Sequence, residues 1–404
     1  MFNSIKEAIT DLKSGKVIIV CDDENRENEG DFVALAEFAT PAIINFLITH
    51  GKGLVCMPIN RTYAEKFNLT PMVQNNTDRR GTKFTTSIDH VSTSTGISAF
   101  ERSKTILEFI SDNAKVEDFT KPGHIFPLVS ENNGVLARAG HTEAAVDLAN
   151  LCGSKPVGIL CEIILENGQM ARRDDLIKIS QQFNLKIITI KDLIKYRKTH
   201  EELVKKEATA NLPTKWGNFS VIGYSSAIDN TETTVLVKGN PSSCEAPYVR
   251  IHSSCLTGDV FSSLRCDCHD QLEQSIKFIQ KHDDGIIIYL QQEGRGIGLL
   301  NKLKAYELQQ NGADTLEANK MLGFPHDMRD YAIAAQILND LGIKKVRLLT
   351  NNPEKISALE DYGISIVERI AVNAQANPNN IEYLKTKIKK LGHLINLIGN
   401  KDAI

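Results

Sequence analysis

Apolar residues Ile5, Ala8, Ile9 and Leu12 follow helical spacing and Gly15 can close the last turn, so the pattern predicts a helix over residues 4–14. The period then changes. Lys16-Val-Ile-Ile-Val-Cys21 is apolar without alternation, the pattern of a short buried strand. Similar short runs at 53–57, 124–129, 157–161 and 186–190 predict further strands with helices between some of them. Residues 75–96 are polar and threonine-rich and predict a long loop of the kind that often serves as a lid. A helix opens at Arg138–Glu143, with Ala145, Leu148 and Cys152 on one face. Charged residues then dominate 195–208, which predicts a helix end followed by a linker over 199–209. Beyond it, 219–224, 233–238, 248–252, 285–290 and 345–350 predict strands. Tyr331, Ala334, Leu338 and Leu341 share one helical face, and Pro353 suits the first turn of the next helix. The pattern therefore predicts an α/β (mixed α+β) chain of two domains, 1–198 and 210–404, each a mixed sheet with helices.

Composition narrows the class. The 404 residues are 42% hydrophobic and 24% charged, ordinary for globular protein and enough for two or three cores. A net charge of −3 and a pI near 6.4 argue against nucleic acid or an anionic membrane as partner. No apolar run reaches the ~18 residues of a membrane span, and the first residues lack the basic-then-apolar order of a signal peptide. Eight cysteines, three of them clustered, predict reduced thiols in a cytoplasmic protein.

In the first half, Asp22-Asp-Glu-Asn-Arg-Glu-Asn-Glu-Gly-Asp31 places six carboxylates in ten residues. Most such runs are solvated turns. This one leaves the end of a buried strand, where α/β proteins carry ligand loops, and its oxygens suit a hard cation such as Mg²⁺. At Arg138-Ala-Gly-His-Thr-Glu143 a helix start offers free N–H groups and a positive dipole end to a phosphate. A lone His141 there would ordinarily be a cap or a surface residue. Taken with Pro122-Gly-His124, the three motifs predict a site for a metal and a phosphate.

In the second half, Cys255, Cys266 and Cys268 fall within fourteen residues, beside Arg250, His252, Asp259 and Arg265. Three thiolates suit zinc, and a shell with three protein ligands leaves a place for water, as catalytic sites do. A structural zinc knuckle or three buried core thiols are the alternatives. His252, His269 and Cys244 are candidates for a fourth ligand. The glycines of Gln291-Gln-Glu-Gly-Arg-Gly-Ile-Gly298 would let backbone amides and Arg295 approach an anion. Asp327 and Arg329 sit at a helix start, where a cap and a surface ion pair are the ordinary reading. Thr350 and Lys355 flank another helix start, again a phosphate position.

Asp22–Asp31, Thr95-Gly-Ile-Ser-Ala99, Pro122-Gly-His-Ile-Phe-Pro127, Arg138–Ala144 and Cys161-Glu162 together resemble 3,4-dihydroxy-2-butanone 4-phosphate synthase over about residues 1–198. Glu101 stands where that family usually has aspartate. The resemblance implies conversion of ribulose 5-phosphate to 3,4-dihydroxy-2-butanone 4-phosphate and formate, through enolisation and a skeletal rearrangement. It implies Glu27 and His141 as ligands of Mg²⁺ or Mn²⁺, and His124 and Glu162 as catalytic residues. Arg26, Glu27, Asp31, Arg138, Ala139, Gly140, His141, Thr142 and Glu162 would contact substrate. It also implies a homodimer.

Cys-Leu-Thr-Gly-Asp259, Arg-Cys-Asp-Cys268, Gln-Glu-Gly-Arg-Gly-Ile-Gly-Leu299, Asp314-Thr315, Asp-Met-Arg-Asp330, Leu-Leu-Thr-Asn-Asn-Pro353 and Leu391-Gly-His-Leu394 are similar to GTP cyclohydrolase II over about residues 206–398. That family opens GTP to 2,5-diamino-6-(5-phosphoribosylamino)pyrimidin-4-one, formate and diphosphate. Cys255, Cys266 and Cys268 would hold Zn²⁺. Arg250, Ile251, His252, Ser253, Ser254, Gln271, Glu293, Gly294, Arg295, Tyr306, Thr315, Thr350 and Lys355 would bind GTP. Asp327 would accept a proton. Arg329 would act at the α-phosphate, where a guanidinium that keeps its proton stabilises developing charge. Ser254, His269 and Gln291 depart from the family's usual Glu, Gly and Arg. Both families serve riboflavin biosynthesis, and this order resembles its bifunctional proteins. The competing expectations are a chain whose synthase half alone is active and, from a different class, a zinc-dependent nucleic-acid binder, which the acidic pI opposes.

Overall fold

The apolar run after Gly15 becomes β1 (Ile18–Cys21), buried along its whole length. The computed structural model describes residues 2–24, 26–312, 314–373 and 376–395, without the side chains of Thr315 and Leu316. It divides into two units, residues 1–200 and 201–404.

In the first unit β1 is followed by β2 (Gly30–Leu35), β3 (Cys56–Ile59), β4 (Ile88–His90), β5 (Phe119–Val129), β6 (Gly158–Glu162) and β7 (Ile187–Thr189), ordered β4-β5-β3-β6-β2-β1-β7. The sheet is mixed: β1·β7 and β3·β5 are parallel, whereas β1·β2 and β2·β6 are antiparallel. Ile19, Cys21, Phe32 and Ala34 enter one core, and Ile18, Val20, Val33 and Leu35 enter another on the opposite face. Burial on both faces is why these strands read as unbroken apolar runs rather than alternating ones. Helix Ile5–Lys13 starts from a capping box between Ser4 and Glu7 and buries Ile5, Ala8 and Leu12.

The second unit has β8 (Val204–Thr214), β9 (Gly217–Ser226), β10 (Glu232–Lys238), β11 (Tyr248–Ser253), β12 (Gly285–Leu290), β13 (Lys345–Leu349) and β14 (Ser365–Ile370). Their order is β14-β13-β11-β12-β10-β9-β8. The β8–β9–β10–β12 half is antiparallel and the β12–β11–β13–β14 half parallel. Parallel strands put their carboxyl ends on one edge, the usual place for a ligand in such sheets. The motifs at 255–268, 291–298 and 350–355 follow the carboxyl ends of β11, β12 and β13.

The expected linker over 199–209 is corrected in part. Helix Ile190–His200 runs to the end of the first unit, and residues 204–209 are strand, paired with β9 from Val204↔Ser226 to Thr209↔Ile222. β8 lies at the sheet edge and is exposed along almost its whole length. It therefore carries Lys205, Lys206 and Glu207 in place of an apolar alternation, a common way of blunting an edge. The 75–96 segment is mostly irregular as expected, with β4 inside it. Among the described residues no helix is long and apolar enough to cross a membrane.

Candidate active sites

β1 hands the chain to the acidic loop at Asp22. Its buried carboxylate accepts from Arg26 Nη1 (2.8 Å) and from the backbone N–H groups of Glu27 (3.0 Å) and Glu29 (2.9 Å). Three donors on one carboxylate turn a run of like charges into an ordered loop. Glu27 is held by Arg26 (2.9 Å) and by Arg80 Nε (3.2 Å) from the polar segment 75–96. His141, the first residue of helix His141–Cys152, comes to the same place: ligand atoms of Asp22, Glu27 and His141 lie within 4.8 Å of one another. Burial lowers the His141 pKa, and its Nε2 is buried without a hydrogen-bond partner among the described residues. Two carboxylates and a bare, neutral imidazole nitrogen fit a hard divalent cation. Asp22 was the member of this set that the sequence hid among other acids.

Asp31 and Glu162 face each other across β2 and β6. Burial, and next the charge of Glu162, raises the Asp31 carboxyl well above its ordinary value. Glu162 Oε2 accepts from the Leu54 N–H at 2.8 Å. Two carboxyl groups on paired strand positions suit the movement of a proton between carbons. Arg138 donates to Glu143 (2.5 Å), Thr82 Oγ1 (2.9 Å) and the Arg80 carbonyl (3.0 Å). Ala139 is exposed, Gly140 begins the helix with no side-chain cap, and Thr142 is buried in its first turn. His124 sits on β5 with a different partner. Its Nδ1 is 2.6 Å from Asp89 Oδ2, and its N–H donates to Asp89 Oδ1 at 2.9 Å. Gly96, at φ +77°, packs so closely that a Cβ there would lie 1.9 Å from Asp89 Oδ2. Glu101 keeps that turn in place by accepting from Ser94 Oγ, Thr95 Oγ1 and the Gly96 N–H.

The second site lies beyond the carboxyl ends of β11, β12 and β13, in a cavity of about 480 Å³. Ligand atoms of Cys255, Cys266 and Cys268 fall within 4.8 Å of one another. None of the candidates for a fourth ligand joins them. His252 Nε2 instead faces both Asp259 oxygens at 3.1 Å, and His269 Nδ1 lies 3.3 Å from the Asp259 carbonyl. Asp259 also accepts from the Cys255 N–H (2.9 Å) and Tyr289 (2.8 Å). Lys302 Nζ is 3.1 Å from Cys255 Sγ and 2.7 Å from Glu293; hydrogen bonds from Cys266 and Cys268, and after them Lys302, lower the Cys255 pKa. Three converging sulfurs with a cation beside them fit zinc.

Around this cluster the cavity wall includes Arg250, Arg265, Arg295, Lys302, Arg329, Lys355 and Lys387 against Glu293, Asp314 and Glu382. Seven cations and three carboxylates make a receptor for a polyanion. Gly294, Arg295, Gly296 and Gly298 all have positive φ, which turns the loop tightly. Both terminal nitrogens of Arg295 are buried without a partner among the described residues. Burial, then Arg250 and Arg329, pushes the Lys355 ammonium well below its usual range, a repulsion that an anion would relieve. Lys355 Nζ donates to the Ile251 carbonyl at 2.7 Å, and Thr350 is buried beside it. Ser253, Ser254, Gln271, Gly294 and Tyr306 also line the cavity. Arg265 stacks 4.8 Å from the Tyr306 ring centre. Asp327 clasps Arg329 through Nε (2.9 Å) and Nη2, which overcomes burial and lowers the aspartate's pKa. The Thr315 side chain lies outside the described residues. Of the departures, Ser254 is buried and accepts from the Gln292 N–H at 3.1 Å, while Gln291 is exposed.

Sequence reasoning passed over Arg80, Asp89, Asp267, Lys302 and Lys387. Asp267 carried a signal, since it separates two candidate ligands. Lys387 carried none, because its partner is 120 residues away.

A family model described as 3,4-dihydroxy-2-butanone 4-phosphate synthase matches residues 6–196, and one described as GTP cyclohydrolase II matches residues 205–371. A riboflavin biosynthesis protein RibBA of Bacillus cereus is 59% identical over 397 residues, 98% of this chain and 100% of the relative. The RibBA of Bacillus cytotoxicus is 58% identical over the same shares. The crystal structure of RibBX from A. baumannii, a two domain 3,4-dihydroxy-2-butanone 4-phosphate synthase, superposes with a TM-score of 0.71 at 34% identity. It covers 91% of this chain and 100% of that one.

Proposed function

The chain belongs to the family of two-part riboflavin biosynthesis proteins, a 3,4-dihydroxy-2-butanone 4-phosphate synthase followed by a GTP cyclohydrolase II, and from that premise we propose how its side chains act. It is a bifunctional enzyme of riboflavin biosynthesis. One half forms 3,4-dihydroxy-2-butanone 4-phosphate from ribulose 5-phosphate, and the other opens GTP; each reaction releases formate. The observation that carries the two-reaction reading over a single working half is the second cavity, where three convergent cysteines and seven cations remain together.

In the first half, Asp22, Glu27 and His141 would hold Mg²⁺ or Mn²⁺. Bound there, such an ion would supply polarisation of vicinal oxygens. Asp31 and Glu162 move protons between adjacent carbons, a role supported by their facing positions on β2 and β6 and the raised Asp31 carboxyl. His124 acts as a second acid–base group, with Asp89 fixing its ring. Arg138 and the uncapped start of helix His141–Cys152 receive the phosphate. Arg26, Ala139, Gly140 and Thr142 complete the substrate contacts.

In the second half, Cys255, Cys266 and Cys268 would hold Zn²⁺, which lowers the pKa of a bound water to about 7. Arg295, Arg329 and Lys355 neutralise the triphosphate, a role supported by the bare Arg295 nitrogens and the depressed Lys355 ammonium. Arg329 stabilises charge at the α-phosphate while Asp327 holds its plane; the lowered Asp327 pKa fits that orienting role better than proton acceptance. Gln271, Tyr306 and the 250–254 strand end receive the nucleoside.

The test is purified protein given ribulose 5-phosphate and GTP in separate reactions, with formate measured in each. We expect both to release it, and release from one alone would remove half of this reading. The protein works in the cytoplasm, a reading supported by the eight unpaired cysteines. It is a homodimer through its first half. That is supported by the resemblance and by exposed apolar side chains at Ile97 and Phe100. Light scattering should give twice the chain mass; a fully active monomer would exclude the dimer.

A further inference from the structure

We propose that Lys387 is a positioning residue for the metal-ligand loop of the second half, acting through Asp267. This rests on the reading of Cys255, Cys266 and Cys268 as zinc ligands. Lys387 belongs to helix Ile381–Leu391, beyond residues 205–371 that match the family model. Glu382, Tyr383, Thr386 and Lys387, spaced as one helical face, line the cavity. Lys387 is buried, and its Nζ lies 2.6 Å from Asp267 Oδ1 and 4.4 Å from the Tyr383 ring centre. Asp267 is itself buried and stands between Cys266 and Cys268 in the chain. Its backbone position therefore sets where both sulfurs point.

The contact is one end of a continuous path. Asp267 Oδ2 accepts from Gln271 Nε2 (2.5 Å), and Gln271 Oε1 accepts from Arg250 Nη2 (2.7 Å). Arg250 Nη2 lies 3.3 Å from His252 Nδ1, and His252 Nε2 meets Asp259, which accepts from the Cys255 N–H. The path thus braces β11, which leads into Cys255, against the segment that carries Cys266 and Cys268. Lys387 is the charge that balances it at the Asp267 end. Removing one member of a buried ion pair leaves the other uncompensated, and partners outside the ligand shell commonly change metal retention. Lys390, three residues on, makes a similar pair with Asp314 at the surface, where such pairs contribute little.

The experiment uses the full chain loaded with zinc and diluted into excess 4-(2-pyridylazo)resorcinol, with zinc release followed by colour. Lys387→Met should release zinc roughly tenfold faster, the scale of a lost outer-shell contact. Lys390→Met should change the rate by less than about twofold. Adding Asp267→Asn to Lys387→Met should return the rate most of the way to the unmodified value, because no unpaired buried charge is left. If Lys387 served only as a cation for the triphosphate, Lys387→Met would raise the KM for GTP and leave zinc release unchanged, and that result would overturn the proposal. So would strictly additive effects of the two substitutions. Unmodified protein that retains no zinc would overturn the metal reading itself, and this proposal with it.

Discussion

Cys266→Ser is expected to abolish GTP opening, by roughly a thousandfold or more, while ribulose 5-phosphate turnover stays at its original rate. The hydroxyl that replaces the thiolate is a poor zinc ligand, so the three-sulfur set falls to two. Without the ion the site would lose the acidification of water that zinc would supply, a loss of many powers of ten in hydroxide at neutral pH. The synthase set of Asp22, Glu27 and His141 uses oxygen and nitrogen donors in the other unit. Zinc content measured beside the two formate rates checks the expectation. Retained GTP opening in zinc-free protein, or loss of both activities in folded protein, would contradict it.

Glu162→Gln should do the converse. Ribulose 5-phosphate turnover should fall by roughly a hundred- to ten-thousandfold, the range for losing a general acid–base group, with GTP opening unchanged. The amide oxygen can still accept from Leu54 N–H, so the strand end keeps its anchor and the loss reports on charge and proton transfer. A second readout separates this from damage to the fold. Asp31 has its carboxyl raised, first by burial and next by Glu162. A raised carboxyl favours the folded state below the unfolded pKa, and that contribution is lost as pH rises through the folded value. Removing the Glu162 charge lowers the folded value, so the variant should gain thermal stability relative to the original protein at alkaline pH and little in acid. A variant active to within a few-fold, or one destabilised at every pH, would end this assignment.

How much of this was legible beforehand depended on how far apart the contacting residues stand. β12 is a glycine followed by five apolar residues, buried on both sides, and its bounds at 285–290 match the reading from pattern. The cysteine cluster was legible too, because fourteen residues hold it. β2 was hidden: Gly30–Leu35 begins inside the acidic run, and its charged start masked an apolar strand. Asp89 looked like one polar residue in a polar loop, yet it orients His124, 35 positions on. Helix Ile381–Leu391 has lysines at 385, 387, 389 and 390, and nothing in that spacing tells the buried Lys387 from the half-buried Lys385 or the exposed Lys389 and Lys390. Only the fold, by carrying it to Asp267, makes the distinction.

The polar edge strand bears on how the second half can be handled by itself. A gene fragment beginning at residue 210, the boundary suggested by charge pattern, would delete Val204–Thr209 and strip β9 of its partner from Ile222 to Ser226. Those backbone groups would then face solvent on a strand whose side chains include Ile222 and Tyr224, an invitation to pair with another polypeptide. A fragment beginning at residue 201 keeps Lys205, Lys206 and Glu207 as a charged fringe along that margin. Nine residues at one terminus would thus separate a soluble preparation from an aggregating one, although neither cut touches the catalytic cavity.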